Sequence, residues 1–253
     1  MTFQICSDLH LEFDLNNRFI HRNPIIPKGD VLLLAGDIMP FTAMNRHEDF
    51  FDFVSNNFEV TYWIPGNHEY YHSDIAERFD PLNEKIRSNV VLVNNQSVIH
   101  GNTKLILSTL WSSISIDNAP EIARRMNDFH VIRNNGKIFT PADATRLHET
   151  CKAFITSALA EKESERTVIV THHLPTFLNY PERYIGDILN EGFATELRDF
   201  IERSHVDYWI FGHHHHNSRE FKIGATRLTT NQLGYVHRNE HLEFRSDYVI
   251  EIH

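Results

Sequence analysis

Five short blocks of this 253-residue chain carry side chains able to hold metal ions: Asp8-Leu9-His10, Gly36-Asp37, Gly66-Asn67-His68-Glu69, His172-His173 and Gly212-His213-His214-His215-His216. Carboxylates and imidazoles suit divalent ions of borderline hardness such as Mn, Fe and Zn, and a carboxylate can bridge two of them. Asp8 and His10 stand two positions apart, so at a strand end they point to one side and can grip one ion; His213 and His215 repeat that spacing. Gly36 lets the backbone turn beside a metal just before Asp37. Two ions roughly 3.5–4 Å apart clamp the attacking and departing oxygens of a phosphoryl transfer. Each block alone has an ordinary reading: Gly-Asp and Gly-Asn are common in turns, Asp-x-His in exposed loops, and paired histidines sit in cores. Five such accidents in one order are improbable.

The elements that must position these blocks are strands. Thr2 to Ser7 precedes the first, and Val31 to Ala35 (VLLLA), apolar throughout as in a strand buried on both faces, precedes the second. Val60 to Ile64, Val168 to Val170 and Val206 to Phe211 precede the other three. His47 to Phe58 and Ala142 to Lys162 have helical spacing of apolar residues, with Pro141 suited to a first turn, and Glu191 to Glu202 also reads as helix. Gly101-Asn102 marks a hairpin between Ser97–His100 and Lys104–Leu110. The tail, with Lys222–Thr230, Gly234–His237 and Tyr248–Ile252, reads as antiparallel strand and turn. Strands alternating with helices, each delivering polar residues at its C-terminal end, describe an α/β layered fold.

A formal charge of −10, from 24 basic and 34 acidic residues, argues against a general nucleic-acid binder. A phosphorylated small substrate fits, because two divalent ions put four positive charges in one cleft. Two cysteines, Cys6 and Cys151, are too few for a disulfide framework. With no apolar run of membrane-spanning length, no secretion signal and no linker or repeat, the expectation is one cytoplasmic domain over 1–253 with no membrane partner. Oligomeric state is not legible from these features.

The ordered blocks resemble the calcineurin-like metallophosphoesterases, a family of protein Ser/Thr phosphatases, purple acid phosphatases, cyclic-nucleotide phosphodiesterases and DNA-repair nucleases. The family pattern is D-x-H, G-D, G-N-H-[DE], a lone ligand His and G-H-x-H. It occurs here as Asp8-Leu9-His10, Gly36-Asp37, Gly66-Asn67-His68-Glu69, His172 and Gly212-His213-His214-His215. The resemblance implies a two-sheet α/β/β/α sandwich of the metallo-dependent phosphatase type. It implies one metal held by Asp8, His10 and His215, another by Asn67, His172 and His213, Asp37 bridging, and a hydroxide between the ions attacking phosphorus. It gives His68 contact with phosphate or protonation of the leaving group, and Glu69 a hydrogen bond that orients His68. It favours His172 over His173, turns His214 away, and leaves His216 supporting or exposed.

Substrate identity is narrowed by what is missing. The arginines that the family's protein phosphatases place after the G-D and G-N-H-E blocks are replaced by Ile38-Met39-Pro40-Phe41 and Tyr70-Tyr71-His72. A phosphodiester or small phosphomonoester is therefore favoured over a phosphoprotein. A nuclease is disfavoured by the acidic balance, and a catalytically weak scaffold by the complete set of ligand positions. The block Gly36-Asp37-Ile38-Met39 lacks the tyrosine ligand of purple acid phosphatases. Tyr70 and Tyr71 as stacking groups, Trp111-Ser112-Ser113, Asp128, His130, Asn231 and Tyr235 complete the candidates for lining the cleft.

Overall fold

In strands β1 (Thr2–Cys6) and β2 (Val31–Ala35), alternate side chains face opposite ways, and both faces are buried. The computed structural model, which describes residues 1–79, 81–161 and 164–252, explains why. The remaining elements in chain order are α1 (Asp14–Arg22), α2 (Glu48–Asn57), β3 (Val60–Ile64), β4 (Leu82–Arg87), β5 (Val90–Asn94), β6 (Gln96–His100), β7 (Thr103–Ser108), α3 (Ala119–Arg125), α4 (Asp128–Val131), β8 (Arg133–Asn134), β9 (Lys137–Ile138), α5 (Pro141–Ala160), β10 (Arg166–Thr171), α6 (Arg198–Ser204), β11 (Tyr208–Ile210), β12 (Phe221–Ile223), β13 (Thr226–Thr229) and β14 (Val249–Glu251). One six-stranded sheet runs β14-β1-β2-β3-β5-β4, the other β12-β13-β11-β10-β7-β6. In each, four parallel strands are flanked by an antiparallel strand at either edge.

The sheets face each other through one apolar layer. Phe3, Ile5, Val31, Leu33 and Ala35 of the first meet Leu105, Leu107, Val168, Val170 and Ile210 of the second. The alternate residues Leu32, Leu34, Trp63 and Leu92 belong to the outer core with Phe50, Phe51 and Val54 of α2, where the Phe51 and Trp63 rings lie 5.5 Å apart. On the far side Ile106, Ile169 and Trp209 join Ala144, Cys151 and Ile155 of α5 and Ile201 of α6. This is the expected sandwich, and VLLLA is buried because one half of it serves each layer. Full burial of one such aliphatic side chain stabilises by about 1.5–3 kcal/mol.

Helix α5 begins with a reciprocal cap: Thr140 Oγ1 accepts from the Asp143 amide, and Asp143 accepts from the Thr140 amide, with Pro141 in the first turn. Its end is closed by buried Lys104, which donates to the Ala158 and Glu161 carbonyls at 2.8 and 3.0 Å. Lys162, the expected last residue of this helix, lies outside the described residues.

The expected helix over Glu191–Glu202 is corrected. A 3-10 turn covers Ile188–Gly192, the helix begins only at Arg198, and the residues between, 193–197, are not helical and lie beside the segment after β10, with a single bridge between Ala194 and Leu174. The Leu174 amide donates to Phe193, the Thr195 amide to Leu174 and the Leu197 amide to Pro175, so these pairings replace helical ones. The hairpin at Gly101-Asn102 forms between β6 and β7, with Gly101 at φ +60°. No helix among the described residues is long and apolar enough to cross a membrane.

Candidate metal centre

Parallel strands release their loops on one edge, and here that edge is shared by both sheets. Asp8 and His10 follow β1, Asp37 follows β2, Asn67 and His68 follow β3, His172 follows β10, and His213 and His215 follow β11. Backbone hydrogen bonds lace these loops together: the Asp8 amide donates to Gly36, the His10 amide to Asp37 and the Gly212 amide to His172. Asp8, His10, Asp37, His213 and His215 all have positive φ, between 47° and 83°. Non-glycine residues are held there only when surrounding structure over-determines them, and such positions gather at functional sites.

Glycine is required where the loops cross. A methyl on Gly66 would stand 2.2 Å from Asp37 Oδ1 and 2.6 Å from His172 Nε2, and one on Gly36 2.4 Å from His172 Nδ1. These approaches bring the seven expected ligand residues together. Asp8, His10, Asp37 and His215 form one cluster, and Asp37, His172 and His213 another. Asp37 belongs to both, with Oδ2 3.8 Å from His10 Nε2 and Oδ1 3.4 Å from His172 Nε2.

Four imidazoles are each held by their outer nitrogen and present the inner one. His10 Nδ1 lies 3.3 Å from Glu12 Oε1, His172 Nδ1 2.8 Å from the Ala35 carbonyl, His215 Nδ1 2.7 Å from Glu240 Oε2, and His213 Nε2 3.4 Å from the Gly192 carbonyl. Since those oxygens accept, the outer nitrogens carry the protons, and in the neutral ring each inner nitrogen offers a lone pair. The inner nitrogens meet in pairs: His10 and His215 Nε2 at 2.9 Å, His172 Nε2 and His213 Nδ1 at 3.1 Å. Imidazole nitrogens facing each other beside buried carboxylates call for positive charge between them, a proton or a metal ion, so the donor set fits the metals expected. The Asn67 amide is oriented likewise: Nδ2 donates to Asp128 Oδ1 at 2.8 Å, leaving Oδ1 3.3 Å from His172 Nε2.

His68 stands beside this cluster. Its Nδ1 is 3.0 Å from Glu12 Oε1 and its Nε2 3.5 Å from the Tyr235 hydroxyl, while its ring stacks on Tyr71 at 4.0 Å. Burial opposes its charge, but the carboxylates of Asp37 and Glu12 more than offset that and its pKa is raised. Burial and the neighbouring His68 lower that of His10; burial, with His173 and His172, holds His213 neutral.

Glu69 does not make the hydrogen bond to His68 expected from the sequence. Its carboxylate accepts from the Asp37, Ile38 and Gly66 amides at 2.9, 2.7 and 2.6 Å and from Trp63 Nε1 at 3.1 Å. Four N–H donors favour the carboxylate against burial and the Asp37 charge, which push its pKa up. Glu69 thus pins the β2 and β3 loops together, and Glu12 takes the place beside His68. The alternation Asp8-x-His10-x-Glu12 carried a signal for Glu12; Glu240, in a distant turn, left none.

The other candidates separate cleanly. His173 lies against Trp111 at 5.1 Å with Nδ1 3.3 Å from the Thr109 carbonyl, and His214 turns to Gln232. His216 is half-buried. Tyr70 is core, and Tyr71 donates to Asp128 at 2.7 Å inside the site. His130 is exposed, its Nε2 3.2 Å from the Arg124 carbonyl, while Asn231 braces Ile5 and Arg245. Trp111 and Ser112 are buried and do not line the cleft, whose volume is about 380 Å³ and which opens over Asp37, Asn67, His68 and Tyr235.

Two stacked mixed sheets with an Asp/His/Asn cluster at their joined strand ends define a metallo-dependent phosphatase fold. The chain belongs to the calcineurin-like phosphoesterase family, which matches residues 1–217. That family is one of metal-dependent hydrolases. The chain is 31% identical over 261 residues to an uncharacterized protein of Acanthamoeba polyphaga mimivirus, covering 91% of this chain and 90% of that one. Its fold is similar to a phosphopantetheinyl hydrolase from Mycobacterium tuberculosis, with a TM-score of 0.66 and 17% identity over 93% of this chain and 90% of the other. A dimetal phosphatase from Danio rerio aligns at a TM-score of 0.45 and 14% identity, over 92% and 87% of the two chains.

Proposed function

We propose that the protein hydrolyses a phosphodiester or small phosphomonoester at two divalent cations. Asp8, His10, Asp37 and His215 would hold one, and Asp37, Asn67, His172 and His213 the other. The observation that carries this reading is the set of four imidazoles whose outer nitrogens are anchored and whose inner nitrogens converge. When bound, such cations supply Lewis-acid stabilisation of phosphate oxygens and make water acidic enough to attack near neutral pH.

The chain's own groups do the rest. Glu12 accepts from His68 Nδ1–H, fixing the ring so that Nε2 points into the cleft and delivers a proton to the departing ester oxygen. The alcohol then leaves neutral, and inorganic phosphate from a monoester, or a phosphomonoester from a diester, remains for release. Tyr71 stacks against the same ring and limits its rotation. Asp128 keeps the Asn67 oxygen turned inward. Glu69 holds the amides of Asp37 and Gly66 in register, so the shared carboxylate stays between the two histidine pairs.

The test is hydrolysis of p-nitrophenyl phosphate and bis(p-nitrophenyl) phosphate by metal-free protein reloaded with manganese, with bound metal counted in parallel. Two metals per chain and turnover of at least one ester are expected. Two metals with no turnover of either would refute the catalytic reading and leave a metal-binding scaffold.

A further inference from the structure

The cleft is far larger than one phosphate needs, and its charged walls are unequal. Its lining includes Asp37, Arg125, Asp128, Asp187, Arg238 and Glu240. All but one have polar partners within the wall. Asp37 accepts from the His68 amide, and Asp128 from Asn67 and Tyr71. Asp187 accepts from the Leu189 amide and lies 3.8 Å from Arg125, which also lies 3.8 Å from Glu121. Glu240 accepts from His215 and from the Tyr235 amide.

Arg238 is the exception. Among the described residues, no carboxylate lies within ion-pair distance of its guanidinium, and no acceptor within hydrogen-bond distance. It is held instead at 5.2 Å from the centre of the Tyr235 ring. That ring is in turn 4.8 Å from the His10 ring and 4.5 Å from the His215 ring. An exposed guanidinium whose charge is felt by Glu240 but which forms no ion pair thus lies one aromatic ring from the candidate metal cluster, in the cleft of a chain with formal charge −10. A planar fork of N–H donors is suited to phosphate and carboxylate.

We infer that the substrate carries a second anionic group, a phosphate or a carboxylate, besides the phosphate that is hydrolysed, and that Arg238 binds it. This rests on the phosphoester reading of the same cleft. The length of a short linker between the two anions, and not a flat aromatic alone, would then select the substrate.

The experiment is calorimetric binding of propyl phosphate, propane-1,3-diyl bisphosphate and 4-(phosphonooxy)butyrate to manganese-loaded protein and to its R238A and R238K variants. Wild type is expected to prefer at least one doubly anionic ligand over propyl phosphate. That preference ratio should fall about fivefold in R238A and be partly restored in R238K. Preference for the bisphosphate alone identifies a second phosphate; preference for both identifies an anion of either kind. Equal binding of all three by wild type, or an unchanged ratio in R238A, overturns the inference, including the case in which Arg238 grips the scissile phosphate and both affinities fall together. Chromogenic ester turnover is run alongside: its absence with the ratio intact strikes the phosphoesterase reading and leaves the second-anion subsite standing.

Discussion

Oε1 of Glu12 lies 3.0 Å from Nδ1 of His68, and the same oxygen lies 3.3 Å from Nδ1 of His10. One carboxylate therefore faces both a candidate metal ligand and the group proposed to protonate the leaving oxygen. The two imidazoles share a single acceptor, and their rings stand edge to face at 4.4 Å. Burial opposes the charge on Glu12, but the hydrogen bonds from His10 and His68 bring its pKa down to about 2. It is a carboxylate throughout the working pH range.

Glu12→Gln should lower turnover by about 10–100-fold, the usual cost of losing a partner that orients a ligand or acid. The loss should be larger for an alkyl phosphate than for a nitrophenyl phosphate, since only the poorer leaving group needs the proton. Equal losses on both esters would refute an orienting role for Glu12 toward His68.

His68→Ala should keep two metals per chain while slowing hydrolysis by roughly 10²–10⁴. Metal analysis beside steady-state rates separates the two effects. Loss of metal in step with activity would make His68 a structural support of the cluster.

Asp37→Asn removes the one carboxylate common to both clusters. Metal occupancy should fall at both sites together and nearly all turnover should go. Retention of two tightly bound metals with full activity would exclude a bridging role.

Gly66→Ala forces a methyl against Asp37 and His172. The loop must move, at a cost of about 1–3 kcal/mol. A lowered Tm with impaired metal binding is expected, and a variant with unchanged Tm and metal affinity would show that the crossing tolerates a side chain.

In the metal-free chain, burial works against charge on His172 and His215. Asp37 beside the first, and Asp8 and Glu240 beside the second, nevertheless carry both pKa values from the ordinary 6.5 up to about 9. Both folded values exceed the unfolded one. Their protonated forms therefore stabilise the metal-free protein below pH 6.5, and that contribution is lost as pH rises through about 9. Ligation requires the deprotonated ring, so manganese affinity should climb over the same window and uptake should release protons. Calorimetry in buffers of different ionisation enthalpy measures this; proton-neutral uptake at pH 7 would contradict it.

The five Asp/His/Asn blocks and their strands were legible in the sequence because strand ends are local events, while the two-sheet sandwich followed from the family resemblance of those blocks. A run such as Val31–Ala35 must be buried on both faces, and the residues just after it must emerge at an edge. His172 is the ring turned toward the cluster for a reason no local pattern holds: its Nδ1 reaches the Ala35 carbonyl of the opposite sheet and its Nε2 lies 3.1 Å from His213 Nδ1. Tertiary packing alone decided the partners. Glu69 was close in sequence to His68, yet it was drawn to four N–H donors, three of them backbone amides in the buried loop crossing. Glu12, distant from His68 in sequence, was left beside it. The amides of Thr195 and Leu197 likewise pair with residues 174–175 in place of helical acceptors. Sequence determined which groups are available at the edge. Long-range satisfaction of buried donors and acceptors determined which of them touch.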